Sequence, residues 1–257
     1  FIFLVLSGSF LLMLPISSRQ SFDLDFLDAL FMATSATCVT GLATFPIGQD
    51  LTLVGQMIIL VLIQIGGLGI MTLSSSLTIL LGRSLRMKEQ VMMQGLLDIS
   101  SLEDLLEMII EIIKLTLFIE FLGAVLLTGA FLYEGQDLAE AMLNGIFHSI
   151  SAFCNAGFSL FPDSLERYRD NVFINLVICS LVLLRVFGFL VLKDVREHLF
   201  GRQFYKKRGF VNLSLHSKIV ISMNFSLVFL GTFAIFFSEF LNALDANSLG
   251  HKFLIAF

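Results

Sequence analysis

A chain of 257 residues that is 56% hydrophobic and only 14% charged is not a soluble domain, in which about a quarter of the residues carry charge. A mean hydropathy of +0.90 points instead to an all-α integral membrane protein. The net charge of −5 says little until it is sorted by side of the membrane, and the three cysteines, Cys38, Cys154 and Cys179, lack the paired spacing of a disulfide framework or metal site.

The chain opens inside an apolar run that stops at Pro15. Residues 1–14 are too short to span a bilayer, which needs about 20, so they are expected to be the tail of a helix. Ser17 to Asp28 is polar and acidic. A short helix is expected over roughly 25–36, covering about 17 Å, half a bilayer. It runs into Ser35-Ala36-Thr37-Cys38-Val39-Thr40-Gly41-Leu42. Pro46, Gly48 and Asp50 mark a surface turn, and an apolar helix over roughly 52–81 crosses fully. Inside it, the small residues of Gln64-Ile65-Gly66-Gly67-Leu68-Gly69 let another helix or a loop approach closely. Arg83, Arg86 and Lys88 end it.

The same order then recurs. A helix over about 103–132, a turn at Gly135 and Asp137, and a short helix over about 138–151 lead into Ser151-Ala152-Phe153-Cys154-Asn155-Ala156-Gly157-Phe158. A polar segment from Pro162 to Asp170 and a spanning helix over about 171–192 follow, then a basic stretch containing Lys193, Arg196, Arg202, Lys206, Lys207 and Arg208. A third unit starts with a helix over about 216–238, a polar segment from Glu239 to Gly250 and a short helix beginning near His251. Phe31 stands ten residues before Gly41, Phe147 ten before Gly157, and the two glycines are 157 − 41 = 116 residues apart. The chain therefore divides into a first repeat over 1–88, a second over 89–208 and the start of a third over 209–257.

Each loop lies between segments apolar enough to enter the bilayer, so its backbone sits at membrane depth. Irregular backbone is tolerated there where it is buried in protein or lines a water-filled path. Carbonyl oxygens turned towards one axis replace the water shell of a monovalent cation, and glycine takes the φ > 0 that this needs without steric cost. The two loops read as a cation filter. Lys and Arg at 83, 86, 88, 193, 196, 202, 206, 207, 208 and 218 outnumber those at 19, 167, 169 and 252 beside the loops, which puts the loops on the outer face.

These residues together resemble the Trk/Ktr/HKT superfamily of potassium transporters, with the match nearest to the bacterial TrkH/KtrB-type membrane subunits. It rests on Thr34 to Leu42, on Gln64 to Leu73 and on Ser151 to Phe158. The resemblance implies four such repeats around a pseudo-fourfold pore, conducting K+ with Na+ as a candidate coupling ion. By position it assigns Cys38, Val39, Thr40, Gly41, Cys154, Asn155, Ala156 and Gly157 as the ion-binding filter residues. It implies a homodimer in the cell (inner) membrane and a cytosolic nucleotide-binding regulatory subunit, and no nucleic acid.

One departure stands out. Counting back from Gly188 as from Gly69, the Gly66-Gly67 pair is replaced by Arg185 and Val186. A charge at the bilayer centre costs about 2.5–3.5 kcal/mol on insertion scales, so Arg185 is expected to face the protein interior, either capped by carbonyls and an acid or beside the cavity beneath the filter as a pore barrier, with Glu120 the first partner to consider. Other readings are a sodium-selective or poorly selective cation channel of the same fold, and a non-conducting membrane scaffold. An intramembrane enzyme needs paired catalytic groups, and only His148 stands near either filter cysteine.

Overall fold

The computed structural model describes residues 1–19, 24–69, 102–200 and 213–238. Among them the chain is helical, with no strand beyond an isolated bridge between Ser18 and Leu51. It is an all-α membrane protein. Among the described residues three helical stretches are long and apolar enough to cross a bilayer: Ile109–Tyr133, Val172–Phe189 and Leu215–Ser238. Residues 70–101, which would complete the helix expected over 52–81, lie outside the described residues, as do Arg83, Arg86, Lys88, Arg202 to Arg208 and everything after 238.

The chain folds into two compact units, Phe1–Ser164 and Leu165–Phe257. The first contains α1 (Ile2–Leu12), α2 (Phe26–Cys38), α3 (Ile47–Asp50), α4 (Leu53–Leu68), α5 (Leu102–Tyr133) and α6 (Leu138–Phe153). The starts of α2 and α6 are set alike, because Asp25 and Asp137 each accept a backbone N–H from the first turn of the helix that follows. Such a cap satisfies one of the donors a helix start leaves open. Thr52 caps α4 in the same way and also donates to the Ile16 carbonyl, which ties the segment after α1 to the start of α4.

Helices α1, α2 and α4 pack together around Leu12, Ala33, Ile59 and Ile63, all fully buried. Helix α5 packs along α6 through Thr116, Glu120, Leu127 and Phe131, which recur at intervals of four and seven residues, the spacing of one helix face. Its other face carries exposed Leu117, Phe118, Phe121 and Val125. Against lipid such exposure costs nothing, so the apolar surface is the signature of a membrane span.

The surface turn expected at Pro46 to Asp50 is the short helix α3, with Pro46 and Gln49 exposed and Ile47 buried. A Cβ at Gly48 would sit 1.9 Å from the Leu160 carbonyl oxygen, so the segments that follow the two loops cross in contact here.

In the second unit, a 3-10 turn (Glu166–Tyr168) precedes α7 (Val172–Phe200), which packs against α8 (Leu215–Ser238). The single spanning helix expected over 171–192 is corrected in two respects. Helix α7 continues to Phe200, and Gly188 breaks it internally at φ 75 and ψ 162, a region essentially confined to glycine. Beyond the break, the Asp194 carboxylate accepts the Ser214 backbone N–H at 2.9 Å and the Ser217 hydroxyl at 2.5 Å, fastening α7 to the start of α8.

Candidate functional site

The two glycine loops share one backbone plan. Helix α2 ends at Cys38, and Val39 follows in the left-handed region at φ 58 and ψ 44. Helix α6 ends one residue earlier, Cys154 keeps right-handed geometry, and Asn155 is left-handed at φ 58. Two residues later the glycines repeat the sign, Gly41 at φ 77 and Gly157 at φ 70. Backbone N–H donors match as well. Val39 donates to Ala36 and Thr40 to Ser35 in the first loop, and Asn155 donates to Ala152 and Ala156 to Ser151 in the second. Every one of these pairs is related by the 116-residue offset.

A serine closes each loop. The Ser35 hydroxyl donates to the Leu42 carbonyl at 2.7 Å, and the Ser151 hydroxyl donates to the Phe158 carbonyl at 2.7 Å. Each bond spans the left-handed pair and the glycine, so it fixes the width of the loop. Ser35 additionally accepts the Leu42 N–H and the Thr40 hydroxyl. Both serines were visible as repeated letters in the two motifs; only the geometry gives them this role.

The loops meet at their glycines. A Cβ on Gly41 would lie 2.5 Å from the Ala156 carbonyl oxygen and 3.0 Å from the Gly157 Cα, and one on Gly157 would lie 3.3 Å from the Gly41 Cα. Beside this contact a hollow of about 440 Å³ is lined by both loops and the segments beyond them, including Gly41, Thr44, Gly157 and Ser159. Helices α2 and α6 direct their C-terminal ends at the loops. Those ends carry the partial negative charge of the helix dipole, which favours a cation.

Helix α4 supports both loops through its glycine pair. A Cβ at Gly66 would stand 2.2 Å from the Thr37 carbonyl oxygen, and one at Gly67 would stand 2.4 Å from the Cys154 sulfur. The second contact helps explain why Cys154 is buried while Cys38 is exposed. Next to it, the Gln64 amide donates to both carboxylate oxygens of Glu120 at 3.0 Å, and the Cys154 thiol approaches Oε1 at 3.8 Å. Sequence reasoning missed Gln64, which reads alone as one polar residue in an apolar helix.

His148 is occupied structurally. Its Nδ1 faces the Asn144 carbonyl at 2.8 Å, which requires the proton there, so Nε2 accepts the Ser159 hydroxyl at 2.9 Å. The ring stacks on Phe161 with centroids 4.8 Å apart. This neutral tautomer holds the segment after the second loop to α6, and neither nitrogen points at Cys154 as a base would.

The structure thus brings the residues of the two loops together in the first unit. Arg185 belongs to the second, where it is half-buried on α7 one turn before the break at Gly188. The break supports the alignment that singled Arg185 out, because Gly69, which ends α4, also combines a positive φ of 83 with an extended ψ of 129.

Comparison with known proteins places the chain among cation transporters. The family model for TrkH, described as a cation transport protein, matches residues 2–248. The chain is 35% identical over 255 residues to the Ktr system potassium uptake protein B of Bacillus subtilis, covering 99% of this chain and 54% of that protein. It is 34% identical over 259 residues to the protein of the same name from Vibrio alginolyticus, covering 100% and 55%. It is 34% identical over 236 residues to the potassium/sodium uptake protein NtpJ of Enterococcus hirae, covering 92% and 50%. The chain spans about half the length of these curated relatives. With its repeated short helix and glycine loop, it belongs to the TrkH family of cation transport proteins.

Proposed function

We propose that this chain contributes two loop-bearing repeats to the membrane subunit of a potassium uptake transporter, and that the loops form half of a four-loop carbonyl filter. The observation that carries this reading is the duplicated backbone. Two loops with left-handed residues at 39 and 41, and at 155 and 157, meet at their glycines. Alternating hand along a short strand turns successive carbonyls the same way, as replacement of an ion's water shell requires. The filter residues are Cys38, Val39, Thr40, Gly41, Cys154, Asn155, Ala156 and Gly157, acting through their carbonyls. The ion is K+, with Na+ as a coupling ion; the potassium/sodium name of the Enterococcus relative supports a less selective variant of the same chemistry.

The loops face outwards from the cell membrane, in keeping with the Lys and Arg asymmetry. Two copies assemble, and a cytosolic nucleotide-binding subunit regulates them. The test is Gly41→Ser in the full-length transporter. A side chain there meets a fixed carbonyl and an unfavourable φ, so the cage widens and uptake of Na+ rises relative to K+. An unchanged ratio of the two ions, with normal protein in the membrane, removes the filter reading.

A further inference from the structure

We infer that Glu120 is a positioning residue that sets the ion discrimination of the second loop, an inference that rests on the filter reading above. Glu120 lies on α5 and is only 4% exposed. Its backbone carbonyl accepts the hydroxyl of the fully buried Ser149, which locks its height against α6. Its carboxylate takes the Gln64 amide on both oxygens at 3.0 Å and lies 3.8 Å from the Cys154 sulfur. Three elements from two repeats therefore converge behind the residue that begins the second loop.

The cluster is specific in its parts. Gln64 stands two residues before Gly66 and three before Gly67, whose missing side chains let α4 touch the Thr37 carbonyl and Cys154. The Gln64 amide oxygen is buried without a hydrogen bond, so the pairing with Glu120 orients the amide through its nitrogen. A buried carboxylate at membrane depth is costly, and such groups are retained where function uses them. The arrangement also breaks the repeat. Counted from Gly188 as Gln64 is from Gly69, the corresponding residue is Leu183, which cannot donate to a carboxylate. The loops have one backbone plan, yet the second is pinned from behind by a charge-assisted bridge whose donor has no counterpart on α7. Lateral movement of Cys154 would move the carbonyls that follow it, so the bridge fixes the size of the cage on that side.

The test uses the full-length transporter and measures relative K+ and Na+ uptake per molecule in the membrane. Glu120→Gln keeps the shape but gives up one acceptor and places an N–H against the Gln64 amide or the Cys154 thiol. Discrimination of K+ over Na+ is expected to fall about tenfold, the change that one charge-assisted hydrogen bond commonly carries. The exchanged pair Gln64→Glu with Glu120→Gln rebuilds the bridge in reverse and is expected to restore discrimination. A swap as poor as Glu120→Gln alone overturns the bridge as the cause. Where Glu120→Gln reaches the membrane poorly, Glu120→Asp is measured instead, and an unchanged ratio overturns the inference. Gly157→Ser separates the two levels. If it alters discrimination while the Glu120 variants do not, only this inference fails; if it too is silent, the filter reading falls with it.

Discussion

Val39 and Asn155 occupy one position in the two loops and share a φ of 58°, but the two side chains suit it unequally. Asparagine visits the left-handed region because its short amide bonds locally, whereas a residue branched at Cβ is a genuine outlier there. The cost for valine is about 1–2 kcal/mol, and the Thr40 N–H bond to Ser35 at 2.9 Å helps hold the loop against it. Val39→Asn is therefore expected to stabilise the full-length protein by about 1 kcal/mol, and Asn155→Val to destabilise it by a similar amount. Thermal unfolding of the purified transporter measures both. No change in either would mean that the loop relaxes to another conformation on substitution. The glycines of these loops were legible in the sequence because a positive φ leaves glycine as its mark. Val39 was not legible in the same way, since its side chain argues for the opposite conformation and only the tertiary setting overrules it.

Helix α4 shows what a stripe of small residues accomplishes at the scale of an element. The sequence indicates that something approaches Gly66 and Gly67 closely; it does not say what. The neighbours prove to be one loop from each repeat, the Thr37 carbonyl at Gly66 and Cys154 at Gly67. The Thr37 backbone cannot rotate away from an added methyl; at Gly67 the Cys154 sulfur can turn although its Cβ, at 2.7 Å, cannot, so both changes cost and the first costs more. Gly66→Ala is therefore expected to be the more damaging, with overpacking of about 1–3 kcal/mol and loss of transport, and Gly67→Ala the milder. Gly129 on α5 is the control, because a Cβ there meets nothing within 4 Å and alanine is the better helix former by about 1 kcal/mol. Gly129→Ala should leave uptake intact. Equal effects of all three on uptake and on thermal stability would reduce the glycine pair to a matter of helix propensity. Helix boundaries set by polar caps were legible to within about two residues, as at Asp137 and the start of α6. The end of α7 was not, because the helix runs on through Lys193 and Arg196 to Phe200, and the real interruption is at Gly188.

Across the whole molecule, the repeat was the most readable feature, since an offset of 116 residues relates the left-handed pairs, the loop hydrogen bonds and the serine closures. Where the repeat fails, side chains carry what a symmetric ring could not. Glu120 is one such place and Arg185 is another, standing where α4 has Gly66 when the two helices are aligned on Gly69 and Gly188. A half-buried guanidinium in a stretch as apolar as Val172–Phe189 cannot be left to lipid, and its charge opposes a cation on any conducting path that it faces. We propose that it is a movable barrier to the ion. Arg185→Gln keeps a polar side chain of similar reach and removes the charge, so K+ flux through the full-length transporter is expected to increase. An increase shared by Arg185→Gln and Arg185→Leu, and absent from Arg185→Lys, would assign the effect to charge and not to shape. Flux that stays the same in Arg185→Gln at equal protein in the membrane would instead make Arg185 a structural residue of the second unit.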